Sequence, residues 1–291
     1  MRIAVTGVSG FIGSVLTRRL SEAGHAVSGL IRESSRQDHI EPYVDRFVIG
    51  DHADPSCWMK LLHHADAVVH NSVDWPAFKD ESHLQKNLLS SIQLLDASAP
   101  LPFVFVSTIA VHHEICPRWQ GMIDEDHPLK PASRYGSYKA AVEAFLHCDH
   151  LRNGRKVSAV RPSGVYGIDP DLPRSQGYEI VQTLRKTGSF QRTGGGKFVH
   201  VDDVVATIVA CLEGPEADTV AYNLADCYAR WGDWASIAAE EMELDAQIDL
   251  SSPTAATNQF SKLAVNRLGV SMNRGQEGIR NHLRQLIPLV A

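Results

Sequence analysis

"TGVSGFIGS" at residues 6–14 lies between an apolar run, residues 2–6, and a stretch with helical periodicity. Its glycines, Gly7, Gly10 and Gly13, recur at every third position. The first glycine permits a tight turn, the second lets a pyrophosphate approach the backbone, and the third lets the helix pack close to the strand. The N–H groups at the start of that helix favour an anion. The segment predicts a dinucleotide site that includes Gly7, Ser9, Gly10, Phe11, Ile12 and Gly13.

The glycine spacing leaves one alternative open. G-x-x-G-x-x-G differs from the G-x-G-x-x-G fingerprint, and a close-packed strand-to-helix turn without a ligand can use glycine in the same way. The position of the loop, directly after the first apolar run and directly before a helical pattern, favours the dinucleotide site.

The composition is that of a globular protein with a sizeable core. Of the 291 residues 44% are hydrophobic, and the formal net charge is −6, without a basic cluster that would bind nucleic acid. The five cysteines are scattered, which argues against a disulfide framework or a zinc ribbon. No apolar run is long enough to span a bilayer, and the residues from Met1 onward do not show the pattern expected of a signal peptide. We therefore expect a cytoplasmic protein that acts on a small molecule and uses no metal.

Strand-like and helical patterns alternate through the first two-thirds of the chain. Short apolar runs, among them residues 25–32 and 102–108, are separated by stretches with apolar residues on one helical face. Such alternation predicts an α/β fold with a Rossmann-like, doubly wound parallel sheet covered by helices on both faces. Within it the pattern predicts helices over residues 84–97 and 133–154 and one strand over residues 156–167.

The pattern changes after residue 167, where proline, glycine and polar residues become frequent. We predict a nucleotide-binding domain formed by residues 1–167 plus about 197–225. Residues 168–196 and 226–291 are predicted to form a smaller, mostly C-terminal α/β domain that binds the substrate.

The residues after the second predicted strand bear on which dinucleotide is bound. An acidic residue there receives the ribose hydroxyls of NAD, whereas an arginine can pair with the 2′-phosphate of NADP. Here Arg32 follows the strand, and Ser34 and Ser35 add hydroxyl groups. The sequence therefore favours NADP over NAD. The alternative for Arg32 is a solvent-exposed side chain that contacts no cofactor. Asp51, after the third strand, is predicted to receive the adenine amino group or else to form only a turn.

A tyrosine and a lysine one helical turn apart predict proton-transfer chemistry. Tyr135 and Lys139 are four residues apart in a helical pattern, so their side chains share one face. A tyrosine has a pKa of ~10, and a nearby ammonium is expected to lower it. Thr108 ends the preceding apolar run, where a hydroxyl lies at the ligand crevice of a parallel sheet. We expect Thr108 to hold a substrate oxygen, Tyr135 to exchange a proton with it, and Lys139 also to hold the cofactor's ribose.

Five motifs in this order carry a family resemblance: TGVSGFIGS, VFVSTIAVH, YGSYKAAVE, VRPSGVYG and FVHVDDVV. Together they resemble the extended branch of the short-chain dehydrogenase/reductase superfamily, also called the NAD-dependent epimerase/dehydratase family. The resemblance covers residues 2 to about 280 and implies a catalytic set at Thr108, Tyr135 and Lys139. It also implies a homodimer formed through the helices that contain Leu84 and Tyr135. The further cofactor contacts that it implies are His70, Asn71, Ser72, Asn87, Pro162 and Val165.

Departures from the family pattern bear on the reaction. Family dehydratases carry an Asp–Glu pair directly after the catalytic hydroxyl residue, whereas this chain has Ile109 and Ala110 there. Arg32 resembles the members that reduce carbonyl groups with NADPH. We therefore predict an NAD(P)-dependent oxidoreductase that transfers hydride between NADP(H) and a carbonyl or alcohol. The alternatives are a nucleotide-sugar epimerase that retains NAD and a non-catalytic protein that senses NADP.

Overall fold

Strands and helices alternate along residues 1–214 and 220–291, which the computed structural model describes. The strands are β1 (Arg2–Thr6), β2 (Ala26–Ile31), β3 (Arg46–Ile49), β4 (Ala67–His70), β5 (Phe103–Val106), β6 (Met122–Ile123), β7 (Val157–Pro162), β8 (Gly164–Tyr166), β9 (Ser189–Phe190), β10 (Gly195–His200), β11 (Ala221–Leu224), β12 (Cys227–Arg230), β13 (Gln247–Ile248) and β14 (Gln259–Phe260). The helices are α1 (Phe11–Glu22), α2 (Pro55–Leu62), α3 (Ser90–Ala97), α4 (Arg134–Asn153), α5 (Tyr178–Thr187), α6 (Val201–Glu213), α7 (Trp231–Glu241), α8 (Leu263–Arg267) and α9 (Gly275–Leu286). Within these ranges every helix is too short or too polar to cross a bilayer.

One sheet of seven parallel strands organises the described residues. Its order is β3–β2–β1–β4–β5–β7–β11. Val5 of β1 lies opposite Gly29 on one side and opposite Val69 of β4 on the other. The chain therefore winds outward from β1 in one direction and from β4 in the other. In such a sheet the ligand crevice lies where the winding reverses, at the carboxyl ends of these two strands.

Both faces of this sheet are covered, which explains why most residues of its strands are apolar. Helices α1 and α6 pack on one face, with Leu20 and Ile208 in that core. Helices α2, α3 and α4 pack on the other face, with Leu61 and Val142 in that core. Residues buried on either side leave no solvated face, so the alternation typical of a half-exposed strand is lost. The predicted α/β fold with a doubly wound parallel sheet is confirmed.

A third apolar core lies outside the large sheet. It is formed mainly by α5, α7 and α9, including Ile180, Trp234 and Leu283. The small sheet β12–β10–β8 borders it. These elements overlap the segments predicted to form the smaller domain, whose boundaries remain a prediction. Residues 215–219, part of the predicted segment 197–225, lie outside the described residues.

Two predicted elements are divided in the structure. The strand predicted over residues 156–167 becomes β7 and β8, which belong to different sheets. Pro162, the last residue of β7, has no N–H group to continue the ladder. The helix predicted over residues 84–97 begins as a π-helical turn, Leu84–Leu89, before α3. The hydroxyl group of Ser91 bonds back to a carbonyl of that turn at 2.6 Å. Hydrogen bonds of this kind compete with a regular helix, and the spacing of apolar residues in the sequence does not reveal them.

Candidate active site

A cavity of about 640 Å³ opens at the carboxyl ends of the parallel strands. Its wall combines the glycine loop, the segments after β2, β4 and β5, the first turns of α4 and the segment after β7. The predicted site residues found in this wall are Gly7, Ser9, Gly10, Phe11, Ile12, Arg32, Asp51, Asn71, Ser72, Thr108, Tyr135, Lys139, Pro162 and Val165. The structure therefore brings the predicted nucleotide-binding and catalytic residues to one cavity.

The glycine loop fits a pyrophosphate. Gly7 has a φ of +68°, a left-handed conformation that favours glycine, and an added Cβ would lie 3.0 Å from the carbonyl carbon of Asn71. A Cβ at Gly13 would overlap the carbonyl oxygen of Gly7, so α1 packs directly on the turn. Gly10 precedes the helix in an extended conformation and has no side chain to cover the first N–H groups. Backbone N–H groups at an uncovered helix start are suited to an anion.

His70 lies behind the cavity wall and holds it in place, contrary to the prediction that it contacts the cofactor. Its side chain is 1% exposed, and its ring nitrogens lie 2.7 Å from the Thr6 hydroxyl and 2.8 Å from the Ser91 hydroxyl. The Thr6 oxygen also accepts the N–H groups of Asn71 and Ser72, each at 3.1 Å. Burial lowers the pKa of His70 well below its usual value, so the ring is neutral and joins β4 to β1.

Asn87 and Gly13 also lie behind the wall, and neither is placed to touch a ligand. Asn87 is fully buried, and its side-chain amide accepts the N–H of Asp74 at 2.8 Å and donates to the carbonyl of Asp74 at 3.0 Å. The predicted direct cofactor contact is therefore wrong for Asn87, which instead fixes the loop after β4. Gly13 acts through the close helix packing described above.

Thr108 and Tyr135 meet because α4 packs tightly on the turn after β5. Thr108 caps that turn and accepts the N–H of Ala110 at 3.1 Å. A Cβ at Gly136 would lie 2.5 Å from the carbonyl oxygen of Ala110, so only glycine allows this approach. The Thr108 side chain lies close enough to the Tyr135 hydroxyl to act on its pKa. Two hydroxyl groups are thus placed together at the cavity, where they can hold one substrate oxygen.

Burial shifts the pKa values of Tyr135 and Lys139 in opposite directions. Loss of water raises the pKa of Tyr135 to about 12, against the lowering effect of the Thr108 side chain. Lys139 is 1% exposed, and burial lowers its pKa to about 7, against the raising effect of Glu143. The Lys139 amine donates to the carbonyl of Val106 and lies 5.8 Å from the centre of the Tyr135 ring. The expected lowering of the Tyr135 pKa by Lys139 is therefore wrong for this structure, and the phenol stays protonated near neutral pH.

The depressed pKa of Lys139 makes stability depend on pH. Between pH 7 and 10.5 the unfolded chain binds a proton at this amine that the folded chain has released, so folding becomes more favourable as pH rises. We expect the unfolding free energy of the wild type to rise relative to that of Lys139→Met by about 2 kcal/mol or more over this range. Urea unfolding at several pH values measures the difference. A difference that is independent of pH would contradict the shift.

A buried ion pair lies behind the catalytic residues. Glu143 and Arg161 are 0% and 1% exposed, and three N–H···O contacts of 2.6, 3.0 and 3.1 Å join them. The Ser107 hydroxyl donates to Glu143, and a guanidinium nitrogen of Arg161 lies 3.3 Å from Nε2 of His112. Burial and the Arg161 charge lower the pKa of His112 to about 3, so this imidazole is neutral. The pair connects the end of β5, helix α4 and the end of β7.

A turn rich in cationic and hydroxyl groups follows β2. Arg32, Ser34, Ser35 and Arg36 all line the cavity. The N–H of Arg32 donates to the Ser35 hydroxyl at 3.1 Å, and the N–H of Ser35 donates to the Arg32 carbonyl at 2.9 Å. This wall can hold an anionic group with charge-assisted and neutral hydrogen bonds.

Several cavity residues were not predicted from the sequence: His39, His52, Asp74, Trp75 and Asp169. His39 reaches the glycine loop from a distant turn, with Nε2 3.1 Å from the carbonyl oxygen of Ser9. Loops without periodicity give no signal for such approaches. Trp75 offered one signal, because a large aromatic residue stands between polar residues and a proline.

Comparison with known proteins finds one matching family and several similar enzymes. A family profile described as "NAD dependent epimerase/dehydratase family" matches residues 3–225. The dTDP-6-deoxy-L-talose 4-dehydrogenase (NAD(P)(+)) of Kitasatospora kifunensis is 34% identical over 239 residues, which cover 75% of this chain and 72% of that protein. The 3-diazoavenalumate denitrifying reductase of a Streptomyces species is 27% identical over 73% of this chain and 72% of its own. A UDP-galactose 4-epimerase crystal structure matches over 100% of both chains, with a TM-score of 0.77 and 25% identity.

Proposed function

The chain is an enzyme of the NAD-dependent epimerase/dehydratase family, and from that membership we propose an NADP-preferring oxidoreductase that reduces a carbonyl compound. One observation carries the proposal: Thr108, Tyr135 and Lys139 line the same cavity as the glycine loop. The relative named as an NAD(P)(+) dehydrogenase, at 34% identity, supports net redox chemistry. Ile109 and Ala110, where family dehydratases carry an Asp–Glu pair, argue against dehydration.

Each catalytic side chain has a separate role in the reduction. The bound dinucleotide supplies the hydride. The hydroxyl groups of Thr108 and Tyr135 hold the carbonyl oxygen, and Tyr135 gives that oxygen a proton as negative charge develops on it. Its raised pKa keeps the phenol protonated near neutral pH, which favours the reductive direction. Lys139 lines the cavity beside Tyr135 and holds the ribose of the dinucleotide.

Two features support the preference for NADP. Arg32 and Arg36 line the cavity beside two serine hydroxyls, a combination that suits a 2′-phosphate. Glu33, the carboxylate of this turn, is exposed and lies outside the cavity wall, so the wall itself carries the cationic and hydroxyl groups. Asp51 also lines the cavity, as expected for a residue that receives the adenine amino group.

Replacement of Arg32 tests the cofactor preference. We expect Arg32→Ala to weaken NADPH binding by ~10-fold or more, because a charge-assisted hydrogen bond contributes about 1.5–3 kcal/mol, and to leave NADH binding unchanged. Fluorescence titration with both cofactors measures the two affinities. Arg18→Ala is the control, since Arg18 is an exposed residue of α1 outside the cavity wall. Equally weakened binding of NADPH and NADH would contradict the assignment of Arg32 to the 2′-phosphate.

The alternative is a nucleotide-sugar epimerase, which the UDP-galactose 4-epimerase structure favours through its match over the whole chain. A panel of aldehydes, ketones and nucleotide sugars assayed with NADPH and with NADH separates the two. A reductase oxidises one NADPH for each carbonyl group reduced. An epimerase interconverts a nucleotide sugar with no net change in the cofactor.

Exposed apolar side chains support the predicted homodimer. Leu84 and Leu89, in the turn before α3, and Phe145 of α4 are each 44–48% exposed. These two elements pack against each other. A second copy of the chain would cover such side chains.

A further inference from the structure

Trp75 is an exposed aromatic residue at the reacting end of the cavity. Its side chain is 56% exposed although tryptophan is usually buried, and it lines the same cavity as Thr108 and Tyr135. Its ring centre lies 4.9 Å from that of Tyr135, with an angle of 32° between the rings. An indole surface therefore stands beside the proposed proton donor and faces the cavity.

Contacts on the side away from the cavity hold Trp75 in position. Phe78 packs against both Trp75 and Tyr135, each with ring centres 5.9 Å apart. The preceding residue, Asp74, is held by the two backbone hydrogen bonds to the Asn87 side chain. An indole fixed in this way loses little conformational freedom when a ligand stacks on it.

Three arginines of the predicted smaller domain, Arg185, Arg192 and Arg230, are engaged by other parts of that domain and lie outside the cavity wall. Arg185 donates to two backbone carbonyls near the end of the chain. Arg192 stacks on the Trp231 ring at 4.1 Å, and Arg230 pairs with Asp233 at 2.6 Å. Among the described residues that line the cavity, none of these three arginines is present.

Arg174 is the arginine of this region that does line the cavity, and two carboxylates accompany it. Asp169 and Asp171 line the same wall, so this stretch carries no net positive charge. Cationic donors strengthen the binding of a diphosphate, and this stretch offers a single one beside two carboxylates. Beside the catalytic hydroxyl groups the cavity offers an aromatic surface instead.

We propose that the substrate is an aldehyde or ketone whose carbonyl group is attached to an aromatic ring that stacks on Trp75. This inference rests on the proposed reductase function and adds the substrate class. The carbonyl carbon takes a hydride from the reduced dinucleotide, the oxygen takes the Tyr135 proton, and the products are an aromatic alcohol and the oxidised dinucleotide. Trp75 binds the ring without taking part in proton transfer.

Steady-state kinetics with NADPH tests the inference, with benzaldehyde and butanal as the two substrates. We expect the wild type to favour benzaldehyde and Trp75→Ala to raise its KM by ~10-fold or more with little change in kcat, because stacking and apolar burial are lost equally in ground and transition states. Trp75→Phe should retain most of the benzaldehyde affinity. The KM for butanal should change little in either variant.

Leu151→Ala is the matched control, because Leu151 is 83% exposed and lies outside the cavity wall. The inference would be overturned if Trp75→Ala raised the KM for benzaldehyde and for butanal equally, or raised neither. Reduction of butanal but not benzaldehyde by the wild type overturns the inference and leaves the proposed reductase function standing. Reduction of neither aldehyde, nor of any other carbonyl compound with NADPH, overturns the proposed function and the inference with it.

Discussion

Tyr135→Phe is expected to lower kcat by ~10²-fold or more while the affinity for NADPH is unchanged. The substitution removes one oxygen atom and keeps the ring that packs against Trp75 and Phe78. What is lost is the proton donor and one of the two hydroxyl groups that hold the carbonyl oxygen. The loss should appear in kcat, because the donated proton matters only as charge develops on that oxygen. Single-turnover kinetics and a fluorescence titration with NADPH measure the two quantities.

Tyr138→Phe provides the matched control on the same helix. Tyr138 is 3% exposed, packs against Phe105 in the core and does not line the cavity. We expect that variant to turn over substrate at nearly the wild-type rate. Turnover that survives in Tyr135→Phe, or falls equally in both variants, would remove Tyr135 from the chemistry.

Arg161→Met is expected to destabilise the fold by about 3–5 kcal/mol. Its guanidinium group makes three contacts with the fully buried Glu143. Without it, that carboxylate stays in a site that excludes water, with the Ser107 hydroxyl as its remaining donor in the described contacts. A buried charge that loses its partner costs far more than the net contribution of an intact pair. Urea unfolding at neutral pH measures the change.

Two further variants separate loss of charge pairing from general damage. Glu143→Leu combined with Arg161→Met removes both charges and should recover most of the lost stability, since apolar replacements of a buried pair are often neutral. Arg284→Met breaks a contact with Glu241 at 2.7 Å in which Arg284 is 52% exposed, and it should cost less than about 1 kcal/mol. The account fails if Arg161→Met costs no more than Arg284→Met.

The large sheet and the glycine loop were predictable because their physical requirements leave a direct trace in the sequence. Strands buried on both faces must be apolar at successive positions, as in Phe103–Val106. The turn after β1 has a φ at Gly7 that favours glycine, and Gly13 must let the helix contact that turn. Tyr135 and Lys139 were predictable since helical spacing alone places them on one face.

Side-chain direction at the ends of strands was harder to predict. His70 and Asn71 are neighbours in the sequence after three apolar positions, yet His70 points into the core and Asn71 lines the cavity. Nothing in the composition of that segment shows which of them meets Thr6 and Ser91. Asn87 was misassigned for the same reason, because its partners on the loop after β4 are thirteen residues away.

Contacts between distant elements explain the remaining differences. Glu143 and Arg161 lie on a helix and a strand, and the sequence gives no reason to pair them. The pKa of Tyr135 depends on burial, which the sequence pattern did not include and which raises that pKa, whereas Lys139 was expected to lower it. Trp75 comes from a loop without periodicity, so its place beside Tyr135 is visible only in three dimensions.

Transfer of deuterium tests the central claim most directly, namely that this site reduces a carbonyl group with net consumption of NADPH. The purified enzyme is given a carbonyl substrate and NADPH that carries deuterium at the transferable position of the nicotinamide, in each of its two stereochemical forms. We expect one form to place deuterium on the alcohol carbon, with one NADP⁺ formed for each alcohol. Inversion of a nucleotide-sugar stereocentre with no oxidised cofactor released would contradict the account.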